Sequence, residues 1–303
     1  MSRTNSTRAP RQSSPRITPA ILAWSAVGLV IVVVTVLVIV KVAVGNGPTT
    51  SSHQAVEPAS PQLVHQVTTV PASVFDEVGL GIPSSFAGTA PIVISGQPPL
   101  TLSGHAPSVM YYGAEYCPYC AAERWAMVVA LARFGTWHGL QTTASGLQEG
   151  DYSTFSFRNA TLDSRYVHFA PIEACTNRVD PNAAGCSGYG VLQTPTKAEQ
   201  TALARYAGPR FVPGNAQGIA FPYVDVDNRV LFSGSTYQPT VLTSLSQAEI
   251  AGALTDPTNL LTRSIVGTAN YITAAVCSGT GGMPQSVCAS RGATMARHAM
   301  KLG

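Results

Sequence analysis

Short apolar strands alternating with helical stretches beyond about residue 70 predict an α/β domain, and three segments carry that expectation. SVMYYGA at 108–114 is a continuous apolar run, as in a strand buried on both faces. It leads directly into PYCAAERWAMVVALARFG at 118–135, where Trp125, Val128, Val129 and Ala132 recur at helical spacing before Gly135. FPYVDVDNRVLFSG at 221–234 alternates Val224, Val226, Val230 and Phe232 about an Asp227-Asn228 turn, the pattern of a hairpin.

Taken in order, the chain opens with Arg3, Arg8, Arg11 and Arg16 and no acid. From Ile17 to Val40 no residue is charged, and a helix of 24 positions is roughly 36 Å long, enough to cross a hydrocarbon core of about 30 Å. Residues 17–44 are therefore expected to form a transmembrane helix. A cleavable signal peptide has a shorter apolar region, about 7–15 residues. The positive-inside rule places the basic tail, 1–16, in the cytoplasm and the rest of this single-pass chain outside it at the cell membrane. Residues 45–67, rich in Pro, Ser, Thr and Gln, are expected to be a flexible linker with a reach of about 25 Å.

The folded domain is expected over 68–290, followed by a C-terminal tail, 291–303. Within it TFSF (154–157) and YVHFAPIEA (166–174) have strand character, and TPTKAEQTALARYAG (194–208) has that of a helix. Ser246 followed by Glu249 forms a capping box at the start of SQAEIAGAL, and a last helix is expected over about 258–276.

The formal charge of +3 is misleading, because the four arginines and Lys41 carry five of the 18 basic charges; beyond them 13 bases face 15 acids. No basic stripe remains to follow a phosphate backbone, which argues against nucleic-acid binding.

Six cysteines on the exported side favour disulfides. Their spacing groups them as Cys117 with Cys120, Cys175 with Cys186 and Cys277 with Cys288. Each of the last two pairs closes a short loop worth on the order of 3 kcal/mol as a structural disulfide, the alternative being a relay that passes electrons to Cys117.

Cys117 and Cys120 stand three positions apart at the entry to a helix. Pro118 suits the first helical position, which makes Cys117 the cap residue, its sulfur facing the free N–H groups of Tyr119 and Cys120. A thiolate there gains hydrogen bonds and the positive helix end, and pKa values at such sites fall to about 3.5–7.5. Cys117 is thus the expected attacking sulfur and Cys120 the resolving one. Zinc would need two more ligands at suitable spacing, which no second cysteine pair or His-x3-His supplies, and a four-residue staple constrains the unfolded chain little. Redox chemistry without metal or cofactor is the favoured reading. Glu115 and Glu123 oppose a thiolate and Arg124 favours it; Trp125 is expected in the core, and His168 as a partly buried, hydrogen-bonded strand residue.

GAEYCPYC followed by a helix resembles the active-site turn of the thioredoxin superfamily, and its Pro-Tyr pair is similar to that of glutaredoxins and some periplasmic disulfide isomerases. GIAFPYVDVDNRVLFSG resembles that family's cis-proline strand and the hairpin after it. The likeness covers roughly 105–138 and 218–256. It implies a thioredoxin-like fold with an insertion at about 141–215, between the active-site helix and the cis-proline strand. It also implies a cis bond at Pro222, with Phe221 and Pro222 beside Pro118 and Tyr119 in the substrate groove. The family's buried acid, six positions before the first cysteine, is replaced here by Tyr111, so proton transfer from Cys120 would fall to Glu123 or water. With its anchor, the chain looks most like a membrane-anchored prokaryotic thioredoxin-like family known only as a domain of unknown function.

The resemblance implies a thiol-disulfide oxidoreductase, an oxidase or isomerase acting on the thiols and disulfides of exported proteins, with a membrane quinone-coupled thiol oxidase as recycling partner. Two other classes stay open: a copper chaperone using both cysteines and a histidine, and a redox-inert binding module.

Overall fold

The structure, a computed structural model, describes residues 55–102 and 107–302. The expected cytoplasmic tail and transmembrane helix lie outside those residues, and among the described ones no helix is long and apolar enough to cross a membrane.

In chain order the elements are β1 (Glu57–Pro58), α1 (Pro61–Thr68), α2 (Ala72–Val78), β2 (Ile92–Val93), β3 (Ser108–Gly113), α3 (Pro118–Leu131), β4 (Thr136–His138), β5 (Gln141–Ala144), β6 (Ser153–Ser156), β7 (Thr161–Asp163), β8 (His168–Glu173), β9 (Cys175–Val179), β10 (Tyr189–Val191), α4 (Lys197–Tyr206), β11 (Tyr223–Val226), β12 (Val230–Ser233), α5 (Gln247–Ala253), α6 (Leu260–Gly279), α7 (Gln285–Cys288) and α8 (Arg291–Ala299). The fold is mixed α/β. Its central sheet has the order β2-β12-β11-β3-β8, in which β3 and β8 run parallel and the other neighbours antiparallel.

β3 is buried on both faces, as its unbroken apolar run requires. The hairpin β11–β12 turns through Asp227 and Asn228, whose φ values of 55° and 50° are the left-handed conformation that Asp and Asn tolerate. The expected Ser246–Glu249 capping box forms, and Thr196 with Glu199 makes a second one at the start of α4.

α3 departs from a one-sided amphipathic helix. Every residue from Cys120 to Leu131 is buried, because α6 and β6 pack against it and the sheet residues Tyr111, Val224 and Phe232 share its apolar core. Trp125 is fully enclosed, edge-on to Phe155, and its indole N–H donates to the Ser153 carbonyl at 2.9 Å.

Three of the expected boundaries need correction. The described part of the linker, 45–67, contains α1, capped by Ser60, with Leu63 and Val67 buried one turn apart; that i, i+4 pair outweighs the linker-like composition. The tail expected at 291–303 contains α8, which seats Gly292, Ala293 and Ala296 against α2 and α6. Gly292 permits this approach: a Cβ there would come within 2.6 Å of the Asn270 side chain. The segment 141–215, expected as an insertion, supplies β8 to the central sheet, with Gly113 opposite Glu173 in the parallel register. A small antiparallel sheet, β1-β5-β6, and the ribbons β4–β7 and β9–β10 make up the rest of the strands.

Candidate thiol site

The cysteine pair stands where β3 ends and α3 begins. Cys117 has an extended conformation (φ −71°, ψ 125°) and is the N-cap of α3, Pro118 being the first helical residue. Cys117 Sγ accepts a hydrogen bond from the Cys120 backbone N–H at 3.2 Å. Cys117 and Cys120 are free cysteines, without a bond between them. Both cysteines are buried, Cys117 5% exposed and Cys120 not at all.

The two thiols are pushed in opposite directions. Burial raises the Cys117 pKa, but it is outweighed by hydrogen bonds from the Cys120 thiol and backbone, the Arg124 charge and the Tyr119 backbone, and the net shift is downward. Cys120 is held well above the usual thiol range, first by burial and then by its hydrogen bond to Cys117 and the charge there. A low-pKa sulfur at the helix N-terminus backed by a deeper, protonated one is the division of labour that dithiol exchange needs.

Beneath the pair lies a buried ionic network. Arg124, one helical turn after Cys120, donates through Nε and Nη2 to the two Glu173 carboxylate oxygens at 2.8 and 2.7 Å, and through Nη2 to the Ala114 carbonyl. Glu173 Oε1 also accepts from the Phe157 backbone. The Glu115 carboxylate is bonded by the Ser156 hydroxyl at 2.7 Å and approached by Arg158 at 3.6 Å. Burial, then the Glu173 charge, raises the Glu115 pKa. Glu115, Arg124 and Glu173 are all fully buried; Arg124 is paired with Glu173, and the cation nearest the Glu115 carboxylate is Arg158.

Glu123 is engaged on another segment. It accepts from the Thr236 backbone at 3.3 Å and is absent from the groups that perturb the Cys120 thiol. Burial lifts its pKa to about 8. Since the unfolded carboxyl titrates near 4.5, the folded state binds the proton more tightly. The resulting stability is complete below about pH 4.5 and is lost as pH rises to about 8. Its full size is about 5 kcal/mol. Glu123→Gln should abolish this slope and make the variant the more stable protein at pH 8, as read by urea unfolding at a series of pH values; parallel profiles for both proteins would contradict it.

Of the remaining residues singled out in the sequence, Pro118 is half-buried and Tyr119 42% exposed at the mouth of the site. The Phe221–Pro222 peptide is cis. Phe221 packs edge-on to Tyr112 at 5.0 Å and joins the cysteine cluster, while Pro222 is buried at the entry to β11. The disulfides Cys175–Cys186 and Cys277–Cys288 are both present. The first lies in the same apolar cluster as Cys117 and Cys120 and restrains the β9–β10 ribbon. From that ribbon Tyr189 stacks on Tyr116, 4.2 Å between ring centres and 6° from parallel, next to Cys117. The second joins α6 to α7, outside that cluster. His168 is part-buried on β8.

Sequence reasoning missed Glu173, Ser156 and Tyr189 as neighbours of the site. Each arrives by strand pairing or a disulfide loop, and the sequence offered no local signal for them. Among the described residues no group of three or more His, Cys, Asp or Glu could hold a metal ion.

A family model described as a domain of unknown function (DUF929) matches residues 94–184, which include Cys117, Cys120, Arg124 and Glu173 and stop short of Cys186. No curated protein and no solved structure matches the chain.

Proposed function

We propose that the protein is a membrane-anchored, extracytoplasmic thiol-disulfide oxidoreductase acting on exported proteins through Cys117 and Cys120. The observation that carries the reading is the Cys117 sulfur at the α3 N-terminus, accepting the Cys120 N–H and held at a lowered pKa, in front of a fully buried Cys120. The domain belongs, on this reading, with thioredoxin-like folds. Support comes from the cysteine turn between β3 and α3 and from the Phe221–Pro222 segment, which enters the β11–β12 hairpin beside β3 in one sheet.

In the exchange, the Cys117 thiolate attacks a substrate disulfide and forms a mixed disulfide. Cys120 then attacks Cys117 Sγ, closing the Cys117–Cys120 bond and releasing the reduced substrate. Run in reverse, the same steps oxidise a substrate dithiol. On the exported side the oxidising surroundings favour the oxidase or isomerase direction. Residues 17–44 would hold the head at the membrane, within reach of a quinone-coupled thiol oxidase that reoxidises it.

Cys120→Ser expressed in cells tests the proposal. It should accumulate exported proteins bound to Cys117 and released by reductant. A variant carrying no such adducts would remove the basis for the reading.

A further inference from the structure

The Tyr111 phenol occupies an unusual position for a side chain with no partner. It is fully buried on β3, its ring held edge-on by Phe157 at 5.1 Å, and its hydroxyl has no hydrogen bond among the described residues. Arg124 Nη1 is a second buried donor with no acceptor, and the guanidinium carbon stands 5.8 Å from the Tyr111 ring centre. A Cβ on Gly113 would overlap the Tyr111 hydroxyl and stand 3.0 Å from Cys120 Sγ. The phenol oxygen and the resolving sulfur therefore border the same small space, which the missing side chain of Gly113 leaves open.

An unpaired hydroxyl beside a sulfur is poorly matched to a thiol, a weak acceptor, and well matched to a thiolate, which takes charge-assisted hydrogen bonds. The surroundings are thus complementary to the state Cys120 passes through and not to the one in which it rests. We propose that the Tyr111 hydroxyl is the hydrogen-bond donor that stabilises the Cys120 thiolate during exchange, with the Arg124 charge behind it.

This rests on the exchange reading above and assigns a positioning residue within it. When Cys120 resolves a mixed disulfide, its S–H proton is lost to solvent and its thiolate attacks Cys117 Sγ. The Cys117–Cys120 bond forms, and the bond from Cys117 to the substrate sulfur breaks. That sulfur leaves with the electron pair and takes up a proton, so the dithiol is oxidised and the substrate reduced. Tyr111 keeps its proton throughout. In the opposite direction Cys120 is the leaving thiolate, and the same donor serves. The charged and titratable groups that act on this sulfur or on Tyr111 are Cys117 and Arg124 of α3 and Glu173 of β8; Tyr116, in the turn before α3, also feels the Cys120 charge.

The test is stopped-flow reaction of the reduced full-length protein with 5,5′-dithiobis(2-nitrobenzoate). The first thionitrobenzoate released reports attack by Cys117, and the second reports resolution by Cys120. Tyr111→Phe keeps the ring and its packing. It should leave the first phase and its pH profile unchanged, slow the second about four- to fifteenfold at neutral pH, the loss of one hydrogen bond to a charged sulfur being partly offset by the greater nucleophilicity of the less stable thiolate, and move its pH midpoint upward. A fluorinated tyrosine at 111, a stronger donor of the same shape, should speed the second phase. A second phase indifferent to both replacements overturns the assignment while leaving the exchange reading intact. A wild-type protein with no second phase overturns both.

Discussion

Arg124→Met should destabilise the fold by about 3–5 kcal/mol and raise the pKa of Cys117. The guanidinium is fully buried and makes two bonds to Glu173 and one to the Ala114 carbonyl. Methionine fills much of the same volume but leaves the Glu173 carboxylate buried with its counter-charge gone, and it is this stranded ion, more than the lost attraction, that sets the cost. The electrostatic consequence is separable, because Arg124 is one of the groups that lower the Cys117 thiol. In the double variant Arg124→Met/Glu173→Leu most of the lost stability should return while the Cys117 pKa stays raised. Urea unfolding reads the first effect and the pH profile of alkylation the second. A double variant that recovers the acidity of Cys117 along with its stability would show that Arg124 acts only by holding the fold.

Cys117→Ser separates the cap from the chemistry. Serine is among the preferred N-cap residues, and its hydroxyl can accept the Cys120 N–H that the sulfur now accepts at 3.2 Å. The melting temperature of the variant should stay within a few degrees of wild type, since exchanging one good cap for another changes stability by about 1 kcal/mol or less. Exchange with a model disulfide should fall by several orders of magnitude, because a hydroxyl at neutral pH is neither ionised nor nucleophilic enough to open a disulfide. Residual exchange near the wild-type rate would move the attacking role to another thiol.

What the sequence disclosed follows from how local the signals are. The cap at Cys117, Pro118 at the first helical position, the Ser246–Glu249 capping box and the Asp227-Asn228 turn are each set by neighbours within four residues, and all are in place. The pairing of Cys175 with Cys186 and of Cys277 with Cys288 followed from equal spacing across short turn-rich loops. The buried ion pair did not. Arg124 and Glu173 are 49 positions apart and meet because β8 lies parallel to β3 in a register that sets Glu173 opposite Gly113. Glu123 misled for a related reason: three residues past Cys120 it shares a helix with the thiol, but it faces Thr236 and Tyr237 of the segment after β12. At α1 the composition of a linker concealed a two-residue apolar stripe, Leu63 and Val67, that is decisive only once a surface exists to receive it.

The central claim is that Cys117 ionises more readily than an ordinary thiol while Cys120 stays protonated. The direct measurement is the rate of iodoacetamide labelling of the reduced protein as a function of pH, resolved by residue with mass spectrometry. The account predicts labelling at Cys117 with a midpoint clearly below the free-cysteine value of about 8.5, and negligible labelling of Cys120 across the same range. Cys117 titrating at or above that value would contradict it.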